Sequence, residues 1–195
     1  MLLWICGDSM TLKEKILNYV PFNEQEAKDK EYFLKFIDSF DDVLTRDNVF
    51  GHFCSSAYVV NKDRSKLLLV YHNIFDGYIF PGGHVDGESD FLSVAIREVE
   101  EETGIKPKLI DENIFSIWVG PVKSHVKRGN FVSSHSHLDV DFLFEADDDI
   151  PLRIKPDENK NVIWAPIEEI GKSIKLVDFF VPEFRKFVEK MKRMF

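Results

Sequence analysis

The residues of this chain best suited to chemistry are Pro81-Gly82-Gly83, followed after a short turn by Arg97-Glu98-Val99-Glu100-Glu101-Glu102-Thr103-Gly104-Ile105. Gly82 and Gly83 lack a Cβ, so their amides and carbonyls can come close to a phosphate or an ion. Carboxylates spaced i, i+3 and i+4 along a helix supply hard oxygen ligands to Mg²⁺ or Mn²⁺ while leaving coordination sites for phosphate oxygens and water. A Gly-Gly pair alone is more often structural than functional. Joined at this distance to a glutamate-rich helix, it becomes informative.

Helical phasing separates these acids from an ordinary solvated run. At ~100° per residue, a helix from Asp90 to Thr103 places Phe91, Val94 and Ala95 on one stripe, with Leu92, Ile96 and Val99 beside it. The solvent arc is then Asp90, Ser93, Arg97 and Glu100. Glu98 and Glu102 continue the apolar stripe, and Glu101 lies at its margin. Four glutamates at the negative end of a helix dipole also oppose folding by ~0.3–1 kcal/mol per charge, so a cation is expected to offset them. Cys6 and Cys54 have no metal-ligand spacing, and the sequence offers no support for a transition-metal site built on His and Cys.

The spacing of Gly83, Arg97, Glu98, Val99, Glu101, Glu102, Gly104 and Ile105 resembles the Nudix box of the MutT-like hydrolases. One position departs, because the first glutamate of the pattern falls on Ser89, with Glu88 immediately before it. Either Glu88 substitutes through a one-residue shift in the turn, or that accessory carboxylate is missing. The resemblance implies an α/β fold, the Nudix α/β/α sandwich with a mixed β-sheet, from about Phe53 to Gly171. It further implies a pyrophosphohydrolase that cleaves a nucleoside diphosphate derivative or related organic pyrophosphate with Mg²⁺ (or Mn²⁺) as cofactor. Carried over by position, Glu98, Glu101 and Glu102 look like metal ligands, a carbonyl at Gly82 like a further one, and Arg97 like the residue that orients the glutamates. The chemistry would be metal-assisted attack of water on phosphorus. Two groups compete as general base: Glu158, in Lys155-Pro-Asp-Glu-Asn ahead of Trp164, and Glu98 itself.

Other clusters have a functional and a bland reading. Lys123, His125, Lys127 and Arg128 could receive a distal phosphate, or could be a solvated hairpin tip. His135, His137, Asp139 and Asp141 alternate along a strand and so face one side, lining either a substrate pocket or an exposed sheet face. His84, next to Gly83, could contact phosphate or stabilise the turn. Substrate choice is expected to reside in residues 121–135 and the N-terminal helices.

These residues need positioning elements, and the chain supplies them. Thr11-Leu-Lys-Glu14 reads as a capping box opening a short helix, Pro21 ends it, and Asn23 starts a longer one with Phe33, Phe36, Ile37 and Phe40 at steps of three and four. Residues 1–48 are read as an N-terminal helical extension and 49–195 as the hydrolase domain. Phe53–Val60 and Lys66–His72 flank the turn signal Asn61–Ser65 and read as a hairpin; Ile114–Val119, Leu138–Glu145 and Asn161–Trp164 read as further strands. Pro182 opens a final helix with Phe184, Phe187, Val188, Met191 and Phe195 on one side, a core or dimer surface.

With 195 residues and 44% hydrophobic composition, the chain can build one substantial core plus an appendage. A net charge of −9 excludes a general binder of nucleic acid or anionic membrane, because the chain would repel a polyanion, yet it permits a small anion neutralised by metal. Two cysteines make no disulfide framework, and the apolar opening, Met1 to Cys6, lacks the length and basic flank of a signal peptide or span. A cytoplasmic setting is the expectation, with a homodimer possible. Two alternatives differ by testable features. A non-catalytic Nudix-fold module sensing a nucleotide would not need the full Arg97, Glu98, Glu101, Glu102 set. An isoprenyl diphosphate isomerase relative would need a cysteine soon after the glycine turn, and Cys54 precedes it.

Overall fold

The computed structural model describes residues 10–127 and 129–195; the opening residues 1–6, including Cys6, and Arg128 lie outside the described residues. Helix α1 (Leu12–Asn18) starts at the capping box as expected: the Glu14 N–H donates to Thr11 Oγ1 at 3.3 Å, and the Thr11 N–H donates to Glu14 Oε2 at 2.8 Å. Helix α2 (Glu24–Ser39) is capped by Asn23, whose Oδ1 accepts from the Glu26 N–H at 2.9 Å.

The sheet is built on β1 (Gly51–Asn61) and β9 (His135–Ala146), which run parallel in continuous register from Gly51 opposite Ser136 to Asn61 opposite Ala146. A strand covered on both faces must be apolar on both, and ten of the eleven β1 residues are buried. The expected hairpin forms between β1 and β2 (Lys66–His72), and β10 (Asn159–Pro166) extends the sheet beyond β2. Three short strands complete this part: β3 (Gly77–Ile79) on β2, β4 (Gly82–His84) on β1, and β5 (Lys108–Leu109) on β9. On β9 also lies β6 (Ser116–Val122).

Helix α3 (Phe91–Thr103) covers one face, where Ser55 Oγ donates to the Phe91 carbonyl at 2.7 Å and the Phe53 and Phe91 rings meet edge to face at 5.7 Å. Helix α4 (Val181–Met194) covers the other, where Phe187 stacks on Tyr58 at 4.9 Å. The result is a mixed sheet between helical layers, the expected α/β/α arrangement.

The basic segment forms a hairpin of its own, β7 (His125–Lys127) with β8 (Asn130–Val132), the kind of element on which the hairpin-tip reading set it. Two features differ from the sequence reading. Strands β3 and β4 were not foreseen, since three residues around glycines carry no periodicity. On α4, Phe184 and Phe187 are buried, whereas Phe195 is exposed with the Arg64 guanidinium 3.6 Å over its ring.

A buried ionic cluster ties the N-terminal helices to α4. Lys190 Nζ donates to Glu26 Oε1 and to the Phe115 carbonyl, both at 2.6 Å, and to the Tyr19 hydroxyl at 3.0 Å. Ser116 Oγ donates to Glu26 Oε1 at 2.9 Å. Lys186 Nζ lies 3.4 Å from Glu26 and 2.5 Å from Glu183 Oε2, the latter a close ion pair outside hydrogen-bond geometry. Ile16, Phe33 and Phe36 belong to the same core as the sheet, so the N-terminal helices are packed into it.

Candidate metal and phosphate site

The glutamates owe their positions to how α3 begins and ends. Asp90 caps its start, accepting from the Ser93 N–H at 3.2 Å, and Gly104 ends it in the left-handed conformation at φ 75°. Between these caps the apolar stripe Phe91, Val94, Ala95 and Val99 is buried against the sheet. Glu102, one turn beyond Glu98 on that stripe, is only 1% exposed, and the Glu98 side chain only 13%. Glu101 is the exception to the phasing: its side chain is 44% exposed, and it pairs with Lys155 at 2.7 Å.

The glycine turn meets this helix directly. The Gly82 N–H donates to Glu102 Oε2 at 3.0 Å. A Cβ at Gly83 would stand 2.6 Å from Glu98 Cδ, so the absent side chain is the space the Glu98 carboxyl occupies. Gly83→Ala is therefore expected to push the Glu98 carboxyl aside while leaving the fold intact, because the obstacle is the end of a flexible side chain. A displacement of about 1 Å at a reacting centre can cost roughly 10²-fold in rate. Steady-state kinetics alongside a thermal melt would check this, and a melt shifted as strongly as the rate would contradict it.

Gly82, Gly83, His84, Glu98, Glu102 and Glu158 line one cavity of about 610 Å³, together with His137 and Asp139. Burial pushes the Glu98 carboxyl up to about 7, with Glu101 and Glu158 adding to the effect and Lys155 and Arg97 opposing it. Burial likewise pushes Glu102 up to about 8, against the Gly82 N–H and with Glu98 and Glu158 reinforcing it. This donor set fits a hard divalent cation: carboxylate oxygens crowd in a partly buried cleft where cationic charge would keep them ionised.

Arg97 does not line the cavity. Its NH1 pairs with Glu88 Oε1 at 2.5 Å, and it stands 3.9 Å from both Glu98 and Glu101. Glu88, rather than Ser89, thus supplies the carboxylate that meets the box arginine. Lys155 Nζ bridges Glu101 and Glu158, at 2.7 and 3.0 Å, and so couples the 155–159 loop to the end of α3. Lys123 is exposed and lines no cavity described here, whereas Lys127 of β7 does; Arg128 lies outside the described residues.

Asp139 and Asp141 are buried, not on an exposed sheet face. Ser56 Oγ donates to Asp139 Oδ1 at 2.8 Å, and burial raises the Asp139 carboxyl to about 7. His137 lines the same cavity, and its alternation with Asp139 along β9 was the one sequence signal for them. The sequence reading missed His52 and Cys54. With His84 and His137 they form a group whose ligand atoms all lie within 4.8 Å of one another, a His and Cys cluster for which the sequence offered no support. The four positions are scattered from 52 to 137, so no local spacing could disclose them.

The NUDIX domain matches residues 52–191, and the chain belongs to that family. Over 98 residues it is 33% identical to a Lactococcus lactis protein described as "Probable DHNTP pyrophosphohydrolase", covering 48% of this chain and 54% of the relative. Over 110 residues it is 27% identical to an m7GpppN-mRNA hydrolase of Xenopus laevis, covering 54% of this chain and 36% of the relative. The chain thus spans about half, or less, of the length of these relatives. Among solved structures, a NUDIX family hydrolase from Clostridium perfringens aligns with TM-score 0.52 at 21% identity, covering 74% of this chain and 98% of that one. The MutT protein from Methanosarcina mazei Go1 aligns with TM-score 0.51 at 18% identity, over 74% of this chain and 98% of that one. At these identities the two structures speak for the fold.

Proposed function

We propose that this chain is a divalent-metal-dependent hydrolase that cleaves the pyrophosphate linkage of a small organic pyrophosphate, a nucleoside diphosphate derivative being the leading class. The observation that carries the reading is the convergence of Glu98, Glu102 and the Gly82-Gly83 backbone on one cavity that Glu158 also lines. Glu98, Glu102, Glu101 and a Gly82 carbonyl would hold Mg²⁺ or Mn²⁺; Glu101 would have to turn from Lys155 to join. Bound there, the cation would neutralise bridging phosphate oxygens and lower the pKa of the attacking water. The chain's own contributions are positioning and proton transfer. Arg97 braces the acidic end of α3 through Glu88 and its proximity to Glu98 and Glu101. Glu158, held by Lys155, or Glu98 accepts the proton of the attacking water.

His84 and His137 contribute neutral donor or acceptor nitrogens to the wall, since burial keeps both well below the usual histidine range. Lys127 at the mouth replaces Lys123 as the cation facing a distal phosphate. The described part of the 1–48 extension acts in this reading to complete, through Ile16, Phe33 and Phe36, the core of a hydrolase domain spanning 49–195. Among the described residues no helix is long and apolar enough to cross a membrane.

The test is release of phosphate or nucleotide from a panel of nucleoside diphosphate derivatives in Mg²⁺ or Mn²⁺. Turnover of at least one member, abolished by a chelator, is the expected result. Ligand binding without hydrolysis, with metal demonstrably bound, would instead favour a sensing module.

A further inference from the structure

All six histidines of the chain line a single cavity of about 360 Å³. Strand pairing puts them there. His52 and Cys54 are two apart on β1 and so share a face, and the parallel register sets His52 opposite His137 of β9. The antiparallel register sets Cys54 opposite His84 of β4. The rings of His52, His84 and His137 lie mutually within 5.0 Å, centroid to centroid.

Two facts argue that this group is unfinished as it stands. His52 is 4% exposed, yet neither of its ring nitrogens meets hydrogen-bond geometry with any neighbour, the Asn48 backbone being the polar group near enough to favour its charge. His137 Nε2 is likewise buried and unpartnered. A buried polar atom left unsatisfied costs ~1–3 kcal/mol, and several converging on one point is uncommon without something between them.

We propose that His52, His84 and His137, with Cys54 as the fourth ligand, bind a borderline-soft divalent transition-metal ion of the zinc class, at a site separate from the carboxylates of α3. Three imidazoles and one thiolate make a complete tetrahedral set for such an ion and a poor one for Mg²⁺, which requires oxygen ligands. Bond lengths of ~2.0–2.3 Å would draw the ligand atoms from within 4.8 Å to roughly 3.3–3.8 Å of one another, a closure small enough for side-chain rotation. Binding would expel one proton, from the Cys54 thiol to solvent, because the thiolate is the ligand. His84 follows Gly83 directly, so its ring and the Glu98 carboxyl lie on opposite sides of β4. His84 and His137 line both cavities, and the ion would therefore form part of the wall of the larger one. Its immediate effect would be to fix these two rings in place.

Cobalt(II) is the probe, titrated into the full chain stripped of metal and held in excess Mg²⁺. The expected result is one equivalent bound, with the strong visible absorption of tetrahedral cobalt and a thiolate-to-cobalt charge-transfer band. His137→Gln should weaken binding by at least about 100-fold, since a direct ligand should matter no less than outer partners whose loss costs 10–100-fold. Cys54→Ser should abolish the charge-transfer band. Glu102→Gln should leave the spectrum unchanged. If His137→Gln does not fold, His84→Gln on the short edge strand β4 makes the same test. Cobalt that Mg²⁺ displaces, cobalt lost with Glu102→Gln but retained in both histidine variants, or no stoichiometric binding would overturn the proposal.

Discussion

Replacing Glu102 by glutamine is expected to lower metal-dependent hydrolysis by roughly three orders of magnitude while the chain still folds. The substitution keeps shape and one acceptor oxygen, so the Gly82 N–H bond at 3.0 Å can survive. What it removes is negative charge at the most buried glutamate of the site. Electrostatic stabilisation of ~4 kcal/mol lost from the transition state corresponds to about 10³ in rate. The fold should be no weaker without metal, because burial already pushes Glu102 up to about 8 and glutamine imitates its protonated form. Kinetics over a Mg²⁺ series, paired with chemical denaturation in chelator, is the measurement. Unchanged kinetics would remove Glu102 from the ligand set; a collapsed fold would make it structural. Glu101→Gln is the informative comparison, since it also weakens the pair with Lys155 and leaves Glu158 as the remaining carboxylate on that lysine.

Glu26→Ala should produce the largest loss of stability of any single substitution outside the apolar core. Glu26 is fully buried and is the carboxylate shared by Lys190 at 2.6 Å and Lys186 at 3.4 Å. Removing it leaves the buried Lys190 ammonium without a carboxylate and Lys186 with Glu183 alone, a loss that typically costs ~3–5 kcal/mol, although an apolar replacement of the whole cluster could be neutral. For a chain of this size that is a melting-point drop of about 6–20 °C. The partners respond differently to their surroundings. Burial opposes charge on both, but Lys190 and Lys186 together outweigh it and hold Glu26 below the usual carboxylate range, whereas burial prevails at Lys190 and lowers its pKa.

The sign of the acid dependence follows from Glu26. A depressed folded pKa means that the unfolded chain binds the proton first, so this contribution is complete above 4.5, the ordinary glutamate value, and is lost as pH falls below it. Denaturation at pH 7 and at pH 4 should show the difference between wild type and Glu26→Ala shrinking in acid. A difference that grew would contradict the assignment.

Much of the carboxylate site was legible because its signal is local. Gly82 to Glu102 spans one turn and one helix, and helical phase alone separates Glu98 and Glu102 from solvent. It put Glu101 at the margin of the stripe, and could not show that its side chain is 44% exposed and pairs with Lys155, a residue 54 positions away. The hairpin of β1 and β2 and the capped helices α1 and α2 were legible for the same reason, since turn chemistry, capping and periodicity act over a few residues.

By itself, then, the sequence determined the family, the α/β elements and the acidic helix with its glycine turn, because short-range geometry dictates each. Only the tertiary structure decided that Glu88 meets Arg97, that Lys127 rather than Lys123 faces the cavity, and that Glu26 is locked between two lysines of the last helix. It also gathered His52, Cys54, His84 and His137 from three strands. The physical reason is common to all of these: strand register and helix docking bring distant residues within bonding distance, and neither is written in the spacing of residues along the chain.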